Sequence, residues 1–165
     1  MSDLIHIPSI NLINAPPGSG KSVLVKYLIC DLHKNGKLEY GICICPTNHN
    51  GEYSYLPDSY VHSVYTDLTV ARLMKLQVEQ IRRFGAARPA FIILDDCLGM
   101  VNFGCKLLVK LFSNYRHYNI SIFITSQYLQ KYITPHLRSV ASHYITFQLR
   151  NRREYDSNLQ VQFHY

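Results

Sequence analysis

Gly18, Gly20, Lys21 and Ser22, within the stretch APPGSGKS, are the residue types, at the spacing, that hold a phosphate chain. Two glycines let a loop curl so that successive backbone N–H groups point inward. A helix beginning directly afterwards adds its own unpaired N–H groups and the positive end of its dipole. Lys21 is then placed to reach the β- and γ-phosphates of a nucleoside triphosphate, and the Ser22 hydroxyl to ligate Mg²⁺. The binding stretch is Ala15, Pro16, Pro17, Gly18, Ser19, Gly20, Lys21 and Ser22, with alanine where the usual pattern opens with glycine. The competing reading is a glycine-containing turn that happens to precede a helix. The apolar run Ile10 to Asn14 before it, and the helical spacing of Val23, Leu24, Tyr27 and Leu28 after it, favour the phosphate loop.

A second chemical signal follows the apolar run FIIL, where Asp95 and Asp96 stand side by side. Carboxylates at the end of a buried strand are costly unless a positive charge needs them, and a metal-bound triphosphate is such a need. Asp95, the first, is the Mg²⁺-side carboxylate, a Walker B position, and Asp96 is placed to polarise the attacking water. The alternative is two aspartates that start a turn or cap the next helix. A third signal is the SQ that ends ISIFITSQ: Gln127 can sense the γ-phosphate or orient water if its strand lies between the other two.

These groups need a parallel sheet to bring them to one edge. The first helix should run from the loop to about Asn35–Gly36, and the next strand is Tyr40–Cys45, stopped by Pro46. Thr47 to Tyr65 is polar, aromatic and turn-rich, and reads as a long surface loop with a short strand at Tyr60–Val64. Thr66 or Asp67 caps a helix with Val70, Leu73, Met74 and Ile81 on its apolar side, ending at Gly85. Arg82, Arg83 and Arg88 near its end suit either nucleic acid or, more commonly, the helix C-terminal dipole. Ala90 to Leu94 and Ile120 to Thr125 are the near-continuous apolar runs of central parallel strands. Leu107, Leu108, Leu111, Phe112 and Tyr115 mark a helix between them. A helical or irregular piece then leads to a last strand near His143–Gln148. Strands alternating with helices imply a three-layer α/β/α fold with a mostly parallel central sheet.

The length of 165 residues fits one domain, residues 1–165, and 47% hydrophobic with 17% charged residues describes an ordered globular chain. No apolar run approaches the roughly 18 residues of a membrane span, and MSDLIHIPSI lacks the pattern of a secretion signal. The formal net charge of +6 suits a polyanionic partner such as nucleic acid. Five cysteines without paired CxxC spacing read as reduced core thiols, and Cys43 and Cys45, two apart, as small buried residues rather than zinc ligands.

APPGSGKS, FIILDD, NYRHYNISIFITSQ and the segment ending PHLRSVASHYITF, in that order, resemble the viral genome-packaging ATPases of the poxvirus type, in the FtsK/HerA superfamily of DNA-pumping motors. The first two motifs are shared by many ATPases. The third, an Arg-His pair before a strand ending in glutamine, is more specific. The resemblance implies a P-loop NTPase fold of the additional-strand type, ATP and Mg²⁺ as cofactors, and double-stranded DNA as partner. It implies a homo-oligomeric ring, a hexamer by analogy, that works with capsid or portal components in the host cytoplasm or virion; no membrane is required by the sequence. It also implies that Arg116 or Arg138 reaches a neighbouring subunit's nucleotide. The catalytic set is thus Lys21, Asp95, Asp96, Gln127, Arg116 and Arg138, with Ser22 and Asp95 on the metal. The rivals are a small nucleoside or nucleotide kinase and a non-catalytic nucleotide-binding assembly protein, the latter kept open by Asp96 standing where glutamate is more usual.

Overall fold

The computed structural model describes residues 5–48 and 51–147. The apolar runs become strands β1 (Ile10–Asn14), β4 (Ala90–Asp95) and β5 (Ile120–Ser126), every residue of which is buried. Burial on both faces is what a continuous apolar run requires, and a parallel sheet covered on each side supplies it. Strands β2 (Tyr40–Ile44), β3 (Val61–His62) and β6 (His143–Thr146) complete a six-stranded sheet in the order β3-β2-β4-β5-β1-β6, with every pairing parallel. Strand β5 therefore lies between the strand that feeds the glycine-rich loop and the strand that ends in the aspartates. This is the additional-strand arrangement.

Successive side chains of each strand go to opposite faces. On one face Ile13, Cys43, Phe91, Ile93 and Phe123 pack against helix α1 (Lys21–Lys34) through Val25, Leu28, Ile29 and Leu32. On the other, Leu12, Ile92, Leu94, Ile122 and Ile124 meet α2 (Asp67–Phe84), α3 (Lys106–Asn114) and α5 (Pro135–Val140). A one-turn helix α4 (Leu129–Tyr132) precedes α5. The three layers of the sequence reading are present. Gly41 is required where β2 passes Phe91, since a Cβ there would stand 2.2 Å from the Phe91 carbonyl oxygen.

The caps follow the sequence closely. Thr66 rather than Asp67 is the N-cap of α2, its Oγ1 accepting from the Thr69 amide at 3.2 Å, and Gly85 ends the helix at φ +79°. Thr134 does the same for α5, accepting from the Leu137 amide at 3.1 Å. Strand β3 is shorter than the expected Tyr60–Val64, because a 3₁₀ turn at Asp58–Tyr60 precedes it. The last strand ends at Thr146, and Gln148 lies outside the described residues.

Two expectations fail. Ile81 is only half-buried, and the inner face of α2 near its end is occupied by Gln77 and Gln80. Gln77 Nε2 donates to the carbonyls of Tyr118 at 2.8 Å and Arg88 at 2.9 Å, while its Oε1 accepts from the Tyr40 hydroxyl. Gln80 donates to that hydroxyl at 2.8 Å and accepts from the Arg88 amide at 2.9 Å. The network ties α2 to the N-terminal ends of β2, β4 and β5, opposite the edge that carries the aspartates. The second failure is the 47–65 segment, where Tyr53 is fully buried and Leu56 nearly so. Its Tyr53, Tyr55 and Tyr60 cover the α1 face of the sheet instead of lying in solvent.

Candidate active site

At the C-terminal edge of the sheet, β1 opens into the loop 15–20 and then α1. The Ala15 amide bonds the Ser126 carbonyl at 3.0 Å, fixing the loop's base to β5. Gly18 at φ +68° and Gly20 at φ +92° adopt the left-handed backbone that turns the chain into α1, and nothing lies within 4 Å of where either Cβ would be. The first turn of α1 has no side-chain cap and no acidic residue, so its N–H groups stay available to an anion.

Lys21, the first residue of α1, sends its ammonium to the end of β4. It bonds the Asp96 carboxylate directly and lies 3.6 Å from Asp95 Oδ1. Asp95 is completely buried and is held by three neighbours: it accepts from the Thr125 hydroxyl, receives the Cys45 thiol at 3.5 Å, and faces Lys21. Asp96 has φ +51°, a conformation aspartate tolerates better than most residues, and its amide bonds the Thr125 carbonyl at 3.1 Å. It caps no helix, because α3 begins at Lys106 behind Cys105. Gln127 follows β5 directly and so stands at the same edge, between the ends of β1 and β4.

The segment after β2 adds groups that the sequence reading did not place here. Glu52 Oε2 accepts from the Ser22 hydroxyl at 3.3 Å. One donor atom each from Cys45, Glu52 and Asp95 lie within 4.8 Å of one another. The buried Tyr53 hydroxyl faces the Asp95 carboxylate without a hydrogen bond of ordinary geometry, and burial together with the Asp95 charge raises its pKa. Burial likewise pushes the thiols of Cys45 up to about 11 and Cys97 to about 12, with Asp95 adding to both. All five cysteines are free, with Cys43, Cys45 and Cys97 in the core. The oxygens of Ser22, Asp95 and Glu52 are hard donors of the kind Mg²⁺ takes, so the residues present fit that ion beside a triphosphate.

The chain matches the family model of the poxvirus A32 protein over residues 8–159. It belongs to the poxvirus A32 protein family. The resemblance read from APPGSGKS, FIILDD and ISIFITSQ is thereby borne out at family level. A curated relative, the uncharacterized protein 015R of Frog virus 3 (isolate Goorha), is 30% identical over 139 residues, covering 82% of this chain. The chain spans 42% of that relative's length. Among solved structures, the genome packaging NTPase B204 of Sulfolobus turreted icosahedral virus 2, in complex with ATP-gammaS, superposes with a TM-score of 0.70 at 19% identity, covering 95% of this chain and 83% of its own. The cytoplasmic domain of EssC superposes at 0.63 with 16% identity, covering 90% of this chain and 32% of its own. These likenesses show a shared P-loop NTPase fold.

Relative to the A32-type sequence reading, Lys21, Ser22, Asp95 and Asp96 converge, and Gln127 stands at their edge. The two arginines do not join them. Arg116 lies in the turn before β5, at the opposite edge, exposed, with its guanidinium over the Tyr115 ring and its Nε donating to the Tyr115 hydroxyl at 3.0 Å. Arg138 lies on α5, and its buried Nε has no hydrogen-bond partner. Arg83 pairs with Glu79 at 2.6 Å, and Arg88 with Glu39 at 3.3 Å while covering the Tyr40 ring. Those two arginines have structural partners. Among the described residues no helix is long and apolar enough to cross a membrane.

Proposed function

We propose that the chain is an ATP-hydrolysing motor domain that works in a ring and moves double-stranded DNA, packaging a viral genome. The observation that carries this reading is the convergence of Lys21, Ser22, Asp95 and Asp96 at one sheet edge, across the intervening strand β5. Family membership supports the viral setting. The net charge of +6 supports a polyanionic partner.

In this reading Lys21 binds the β- and γ-phosphates, and the loop amides and the start of α1 bind the rest of the chain of phosphates. Ser22 and Asp95 would hold Mg²⁺, whose charge would offset that of the phosphates. A triphosphate competes with Asp96 for the Lys21 ammonium, so nucleotide binding releases the Asp96 carboxylate to orient the attacking water. Gln127 monitors the γ-phosphate. Arg116 or Arg138 acts on a neighbouring subunit's nucleotide, a role that requires distance from its own loop.

The test is ATP turnover with and without double-stranded DNA, together with the assembly size. DNA-stimulated turnover by an oligomer is the result that fits. Phosphate transfer to a nucleoside would replace the motor with a kinase, and binding without turnover would leave an assembly protein.

A further inference from the structure

We propose that Glu52 is a ligand of the nucleotide's divalent cation, completing with Asp95 and Ser22 an all-oxygen site. This deepens the reading above and rests on it. The aspartate next to Asp95 has another role in that reading: the Asp96 carboxylate is bonded to Lys21 and, once a triphosphate takes that ammonium, orients the attacking water. Glu52 is positioned instead by the segment after β2, where its Oε2 accepts the Ser22 hydroxyl proton at 3.3 Å and leaves the hydroxyl lone pairs free for a cation. Its carboxylate and that of Asp95 fall within the same 4.8 Å cluster.

Charge points the same way. Asp95 and Asp96 share the single ammonium of Lys21, and Glu52 adds a third carboxylate beside Asp95, so the edge carries more negative than positive charge. Among the described residues no lysine or arginine pairs with Glu52, and a divalent cation balances the remainder. A further sign of a ligand is the Tyr53 hydroxyl, which is fully buried, faces the Asp95 carboxylate and makes no hydrogen bond of ordinary geometry. A hydrated cation on Asp95 would offer that hydroxyl an oxygen partner. The Cys45 thiol donates to Asp95 Oδ2 and so orients the carboxylate without ligating. The site is thus built for Mg²⁺ or Mn²⁺ rather than for a thiophilic ion.

The experiment is a Mn²⁺ titration of the full chain followed by electron paramagnetic resonance, with a non-hydrolysable ATP analogue bound. Glu52→Gln should weaken Mn²⁺ binding by about 10–100-fold, while Glu79→Gln, on the exposed face of α2, should match the wild type. Glu52 is exposed, so the variant folds, and circular dichroism checks this. Asp95→Asn separates the two levels. If it loses Mn²⁺ and Glu52→Gln does not, the Glu52 assignment is overturned and the nucleotide site stands. If neither variant loses Mn²⁺, the metal lies elsewhere and both readings fall.

Discussion

Lys21 and Asp96 form an ion pair that joins the two sequence motifs, the ammonium at the start of α1 to the carboxylate one residue beyond β4, with buried Asp95 only 3.6 Å from the same nitrogen. The lysine is held where a phosphate would meet it. The two aspartates differ in burial, backbone and partners, so their substitutions should differ in consequence.

Asp95→Asn should weaken Mg²⁺-dependent nucleotide binding, since it removes the buried charge that the proposed site gives to the metal. Asp96→Asn should retain ATP and slow hydrolysis by roughly 10²–10⁴-fold, the usual contribution of a positioned base. Nucleotide titrations with and without Mg²⁺, beside single-turnover hydrolysis, separate the roles. Equal loss of binding in both variants would contradict them.

A guanidinium supplied by a neighbour contributes about 10³–10⁵ in rate to phosphoryl transfer. Either Arg116→Ala or Arg138→Ala should therefore bind ATP normally and turn it over poorly. Mixing that variant with Lys21→Ala should recover part of the activity, because each subunit supplies what the other lacks. Specific activity that stays constant on dilution, with no recovery in mixtures, would exclude the trans arginine.

Gln77 sits at the other end of the sheet and should affect stability alone. Gln77→Leu leaves the carbonyls of Tyr118 and Arg88 without their donor, at a cost of about 1–3 kcal/mol in unfolding free energy. Urea unfolding would show the loss, and ATP affinity measured on the folded variant should match wild type.

Much of this was legible in the chain. Unbroken apolar runs at Ala90–Asp95 and Ile120–Ser126 announce strands buried on both faces, and the glycines and the aspartate pair mark the edge where they end. Thr66 and Gly85 bound α2 because capping is local chemistry. What stayed hidden depends on contacts across the sequence. Glu52 and Tyr53 occur in a polar, aromatic stretch with no period, and only the return of that stretch over the end of β4 brings them to Asp95. Gln77 and Gln80 are polar residues on a buried face, satisfied by the Tyr40 hydroxyl and by backbone groups 8 to 41 residues away, so helical periodicity passes over them. Cys45 reads as a core thiol and is one, yet its position just past β2 also puts it on the Asp95 carboxylate.

The central claim is that the edge built by Lys21 and the aspartates binds and hydrolyses ATP. Its most direct test is steady-state Mg²⁺-dependent ATP turnover by the wild-type chain and by Lys21→Ala, compared at equal folded concentration. The account predicts turnover in the wild type and its loss in the variant, with the fold unchanged, because Lys21 contributes phosphate charge and no core packing. Equal ATP affinity and equal turnover in the two proteins would contradict it.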